Sequence, residues 1–132
     1  MVASHEDIVR RISANWDRGD FSSDTELFHG DVEFEMRMGV EHARARGLDE
    51  MGRAWREQLA QWSYWRTDGV QDLRSSGNQV LLQNVIRGRG RHSDVEVERS
   101  AFAVFTFRDG LVVSLVLIDD RDAAFAEAGI EP

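Results

Sequence analysis

Apolar and polar positions are patterned most clearly in residues 95–120, VEVERSAFAVFTFRDGLVVSLVLIDD. The pattern predicts two long strands joined at Arg108-Asp109-Gly110. Asp-Gly between apolar runs marks a tight hairpin, because the turn needs positive φ and glycine supplies it without strain. Neither strand contains a proline that would break the ladder. The second strand, residues 111–118, is apolar at every position except Ser114, which predicts cover on both faces. It runs directly into two carboxylates, Asp119 and Asp120.

Helical spacing governs the start of the chain. Ile8, Val9, Ile12 and Trp16 form one stripe, with Ser4 as N-cap, Asp7 at the capping-box position and Gly19 just past the end. A second short helix is expected over residues 23–28, stopped by His29-Gly30-Asp31. Residues 32–38 alternate, with Val32, Phe34, Met36 and Met38 opposite Glu33, Glu35 and Arg37, as in a half-buried strand. Residues 39–47 read as a loop. Leu48, Met51, Trp55, Leu59 and Trp62 restore the helical period over residues 48–62. Strands follow at about 64–74 and 79–87, with turn clusters at 75–78 and 88–94, and a last short helix covers 122–128 before Gly129. Helices segregated from an antiparallel meander define an α+β domain, here spanning residues 1–132. A curved sheet wrapped against the long helix would enclose a cavity.

Composition narrows the function. The net charge of −8 argues against nucleic acid as a partner. The absence of cysteine removes disulfides, thiolate metal sites and cysteine nucleophiles. All basic residues are arginine, so no lysine is present to form a Schiff base. The opening MVASHEDIVRR lacks the apolar core of a signal peptide. No run approaches the roughly 20 apolar residues of a membrane span. A cytoplasmic location is expected. The histidines His5, His29, His42 and His92 are scattered at no metal-ligand spacing, so neither a metal nor another cofactor is expected.

Four stretches in order resemble the SnoaL-like branch of the NTF2-like superfamily. They are Trp16-Asp17-Arg18-Gly19-Asp20-Phe21 after the first helix, Leu27-Phe28-His29-Gly30-Asp31-Val32-Glu33-Phe34, the late hairpin Phe105-Thr106-Phe107-Arg108-Asp109-Gly110-Leu111-Val112, and Asp120-Arg121 followed by Ala124, Ala128 and Gly129. The resemblance implies an NTF2-like α+β cone, with a curved antiparallel sheet packed on the N-terminal helices around an internal pocket. It leaves function open, since one fold serves many chemistries. Counting back from Gly129, Asp120 falls where polyketide cyclases of this superfamily carry their general base, although Ala123-Ala124-Phe125-Ala126-Glu127 stands where they carry Gly-Leu-Leu-Arg-Gln. The ketosteroid-isomerase base position holds Met36, and the tyrosine position falls near Ile12, so that chemistry is not implied.

The expected function is binding of a small, largely apolar molecule in the cone. The alternative is a cyclase- or isomerase-like enzyme with Asp120 as base and Arg87 or Asn84 holding an enolate oxygen. Asp120 is equally well placed as the N-cap of the last helix, and Asp119 is the fallback acid. The expected ligand-binding set is Trp16, Trp55, Trp62, Phe34, Arg87, Phe105 and Asp119, with the tryptophans also serving as core. Trp65 is expected in the core or at a dimer surface. Arg87, Arg89 and Arg91 read as a solvated tip balanced by Asp94, Glu96 and Glu98, with Arg87 nearest the cavity mouth. Ser114, Asn84 and Gln83 interrupt apolar strands, and whichever faces the cavity would hydrogen-bond a ligand. The doubly apolar last strands call for a homodimer through the outer sheet face.

Overall fold

The computed structural model describes residues 4–38 and 41–131. Helix α1 (His5–Asp17) opens at Ser4, whose hydroxyl accepts from the Asp7 amide at 3.1 Å, and closes at Gly19, φ +76°. Strand β1 (Phe28–Met38) leads to β2 (Glu41–Arg46), then to helix α2 (Leu48–Leu59). Strands β3 (Trp62–Ser76), β4 (Gln79–Gly90), β5 (Glu96–Arg108) and β6 (Leu111–Ile118) follow, and helix α3 (Arg121–Ala128) ends the chain's regular structure.

The strands form one curved sheet in the order β2-β1-β6-β5-β4-β3. All neighbours are antiparallel except β1 and β6, which run parallel and set the first strand between β2 and β6. The β5–β6 turn places Asp109 at φ +54° and Gly110 at φ +80°, as the Asp-Gly pair predicts.

Two apolar layers sit on opposite faces of the sheet. On the inner face, α1 and α2 bury Ile8, Val9, Ile12, Trp16, Met51 and Trp55 against Phe34, Leu82, Phe105 and Leu115. On the outer face, α3 buries Ala124, Phe125 and Ala128 against Leu81, Phe102, Val104, Val116 and Ile118. Phe125 is 1% exposed, and the guanidinium groups of Arg121 and Arg74 lie 4.4 and 5.1 Å from its ring centre. Burying such a ring stabilises the helix on the sheet by roughly 1.5–3 kcal/mol. Helix α3 therefore covers part of the second face of β5 and β6 within the chain itself. Arg37 on β1 pairs with Glu35 at 2.7 Å and with Glu127 on α3.

Three element assignments are corrected. The second helix expected over residues 23–28 is a single 3-10 turn, Thr25–Leu27, preceded by Asp24 at φ +62°. The Asp20 side chain bonds local backbone instead, accepting from the amides of Ser22 and Ser23. Residues 41–46, expected as loop, form β2, while Gly39 and Val40 of that loop lie outside the described residues. Ala43 and Ala45 pack on the core and alternate with exposed Arg44 and Arg46, a period-2 pattern made faint by alanine. Trp62 starts β3 instead of ending α2. None of the described helices is long and apolar enough to cross a membrane.

Candidate functional site

Between α1, α2 and the inner sheet face lies an apolar cavity. Trp16 comes from α1, Met36 and Met38 from β1, Trp55 from α2, Trp65 and Thr67 from β3, and Asn84 and Ile86 from β4. Ala101 and Ala103 on β5 and Leu117 on β6 complete the wall with Phe21. The cavity exists because small side chains stand at inward positions of a central strand. Ala101 pairs across from Asn84, and Ala103 from Leu82. The void is narrow, with about 20 Å³ for the centre of a water-sized molecule, enough for one water. Two methionines in its wall give it soft, adaptable sides.

Phe21 closes one end. Its ring stacks on Trp55 at 4.5 Å and on Trp16 at 5.9 Å. Phe21 and Trp55 also line an open groove of about 520 Å³ against α2. These two rings thus separate the cavity from the groove. The turn that carries Phe21 is held by carboxylates. Asp20 accepts from Ser22 and Ser23, and those bonds hold its carboxyl below the usual range. Asp24 accepts from Arg11 at 2.8 Å and from the buried Asn15 amide at 2.6 Å, and its carboxyl is lowered by Arg11 first.

Two polar side chains reach the cavity wall. Asn84 is 3% exposed, and its side-chain amide makes no hydrogen bond to any described residue. It stands between Leu82 and Ile86 on the inward face of β4, where an apolar residue would satisfy the pattern. Thr67 is 5% exposed and donates its hydroxyl proton to Asp17 Oδ1. The same carboxylate oxygen accepts from the Gly69 amide at 3.1 Å. Thr67 pairs with Ile86 and Val70 with Asn84, so β3 carries one extra residue there, and Gly69 has φ +74°. Asp17 at the end of α1 therefore pins a β-bulge, and the bulge aims Thr67. No three histidine, aspartate or glutamate side chains gather as a metal site among the described residues.

The SnoaL-like domain profile matches residues 9–115, most of the chain. The chain belongs to the SnoaL-like family. No curated protein matches the sequence. Solved structures of the same fold include an NTF2-like protein of unknown function from Burkholderia pseudomallei, with TM-score 0.75, 16% identity, and coverage of 92% of this chain and 94% of that one. A Catenulispora acidiphila protein with a ketosteroid isomerase-like fold, in complex with trimethylamine, has TM-score 0.71 at 14% identity, covering 97% and 96%. IdmH from Streptomyces antibioticus, described as a candidate polyketide cyclase, has TM-score 0.69 at 20% identity, covering 95% and 98%.

Within this SnoaL-like domain, Trp16 and Trp55 line the cavity. Phe34 and Phe105 stand behind them, their ring centres 5.5 Å from Trp55 and 5.8 Å from Trp16. Trp62 packs on Trp65 at 4.7 Å, and its buried indole nitrogen has no partner among the described residues. Trp65 is a wall residue, 6% exposed, and not a surface one. Arg87 faces the other way. It alternates with inward Ile86 and Gly88 and bridges Asp68 at 2.9 Å and Glu98 at 2.5 Å, and those acids raise its pKa. Asp119 is half-buried, with Arg99 at 3.5 Å. Asp120 is exposed, does not line the cavity, and accepts from the Ala123 amide at 2.9 Å as the cap of α3.

The sequence reading singled out Asn84 as a polar interruption but passed over Phe21, Thr67 and Asp17. Met36 stood out in the sequence as an inward strand position and a substituted base position, not as part of a cavity wall. Asp17 and Thr67 lie 50 residues apart, so no local pattern couples them. The signal that was present is Ala101 and Ala103 at alternate positions of a strand otherwise lined with large side chains.

Proposed function

We propose that the chain binds a small, flat, largely apolar molecule in this cavity, with Asn84 as its polar anchor. One observation carries the reading: a buried amide with no partner faces an aromatic-lined void. An amide with no protein partner costs about 1–3 kcal/mol where no water reaches it, and leucine or valine would satisfy the strand pattern at this position. A ligand carbonyl or hydroxyl supplies the missing bond. Trp16, Trp55 and Trp65 supply flat surfaces against which a ring can stack. Entry requires the Phe21–Trp55 partition to open and the methionines to shift, since the closed void holds about one water. The Catenulispora protein shows that a related fold accommodates a small molecule.

The enzymatic alternative needs an acid or base in the cavity, and Asp120 does not line it. Titration with acetophenone, followed by tryptophan fluorescence, tests the binding reading. Saturable quenching is expected in the wild type, with affinity reduced about tenfold or more in Asn84→Leu. Equal affinity in the two proteins would refute it.

A further inference from the structure

We infer that Thr67 is the second polar contact of this site, and that it offers a ligand only an acceptor, so that the cavity selects aromatic carbonyl compounds carrying a hydroxyl group. The inference rests on the binding role proposed for the cavity. The Thr67 hydroxyl proton is committed to Asp17 Oδ1. An ionised carboxylate is an acceptor only, so that proton cannot turn toward the cavity without breaking the bond. The carboxylate is itself held by the Gly69 amide. What remains on Thr67 Oγ1 is lone-pair density, and no hydrogen bond from a described residue occupies it. A hydroxyl on the ligand fits there, whereas an ether or a second carbonyl meets oxygen against oxygen.

Asn84 supplies the complementary contact. Its amide can donate to a carbonyl. Thr67 stands opposite Ile86, and two positions of β4 and the bulge separate it from Asn84. A benzene ring with a hydroxyl at one end and a ketone at the other offers one group to each residue. The two residues make no hydrogen bond with each other, so each is free for a ligand.

The test titrates 4-hydroxyacetophenone and 4-methoxyacetophenone, in which an O-methyl group replaces the hydroxyl proton, into four proteins: wild type, Thr67→Val, Thr67→Ser and Asn84→Leu. The wild type should prefer the hydroxy compound about tenfold, and Thr67→Ser should keep that preference. Thr67→Val should bring the ratio of the two affinities close to one, while Asn84→Leu weakens both compounds together. Asp17→Ala gives a second readout: it removes the acceptor that holds the Thr67 proton, the proton becomes free to donate, and the ratio should fall. Thr67→Val or Asp17→Ala retaining the wild-type ratio would overturn the assignment while leaving the binding role standing. Failure of both ketones to bind the wild type, or undiminished binding by Asn84→Leu, would overturn the binding role and this inference with it.

Discussion

The ring of Phe21 lies 4.5 Å from that of Trp55, centre to centre, and the pair lines both the apolar cavity and the groove against α2. Phe21 is half-buried and belongs to a turn held by carboxylates, not to a helix or strand. Its removal should join the two spaces. We expect Phe21→Ala to cost about 1–3 kcal/mol, less than truncating a fully buried phenylalanine. Acrylamide quenching should rise at the same time, because Trp16 and Trp55 become accessible. Unchanged quenching would show that the partition lies elsewhere.

Gly88 is set by close approach and not by backbone conformation. A Cβ built there would lie 2.8 Å from Trp65 Cε3 and 3.1 Å from Trp62 Cε3. The Trp62–Trp65 pair packs directly on the β4 backbone, and that contact seats Trp65 in the cavity wall. Gly88→Ala should destabilise the fold by about 1–3 kcal/mol through overpacking and weaken acetophenone binding as Trp65 is displaced. Urea denaturation and the fluorescence titration check the two parts separately.

Asp120 offers a contrast between stability and binding. Its carboxylate caps α3 through the Ala123 amide and is exposed. Loss of an N-cap costs about 0.5–2 kcal/mol. Asp120→Ala should melt several degrees lower and bind acetophenone as the wild type does. Loss of binding without loss of stability would restore Asp120 as a functional acid.

The legible part of this molecule is the part encoded locally. The Asp109-Gly110 turn, the α1 stripe from Ile8 to Trp16 and the alternation of β1 each involve neighbouring residues, and each appears where expected. The outer layer was half legible. The apolar second face of β6 was evident, but not that Phe125 and two alanines of α3 would cover it. β2 was obscured because alanine barely registers as apolar. The site itself is mostly non-local. Asp17 meets Thr67 and Gly69 only after β3 is in place, and Phe21 meets Trp55 only after α2 docks. Trp16 and Trp55 were visible in advance from their helical stripes, and Asn84 because a polar side chain broke an apolar strand.

Acid should weaken the Arg37–Glu35 pair on β1. The Arg37 guanidinium beside Glu35 holds that carboxyl below its ordinary value of 4.5, and also pairs with Glu127. A carboxyl with a depressed folded-state pKa adds stability that is fully present above its unfolded value and lost as pH falls through the folded one. The contribution should therefore decline below pH 4.5. Arg37→Leu should lower stability at neutral pH by about 1 kcal/mol or less and flatten the acid limb. Urea midpoints at neutral and acid pH measure both effects.

The central claim is that Asn84 is kept for a ligand at some expense of stability, and Asn84→Leu tests it without knowledge of the ligand. Leucine is close in volume and needs no hydrogen bond. If the claim holds, the variant should be more stable than the wild type by about 1–3 kcal/mol in urea denaturation, and should bind acetophenone about tenfold more weakly or worse. If the variant is less stable than the wild type, Asn84 serves the fold, and the account of the cavity as a binding site is contradicted.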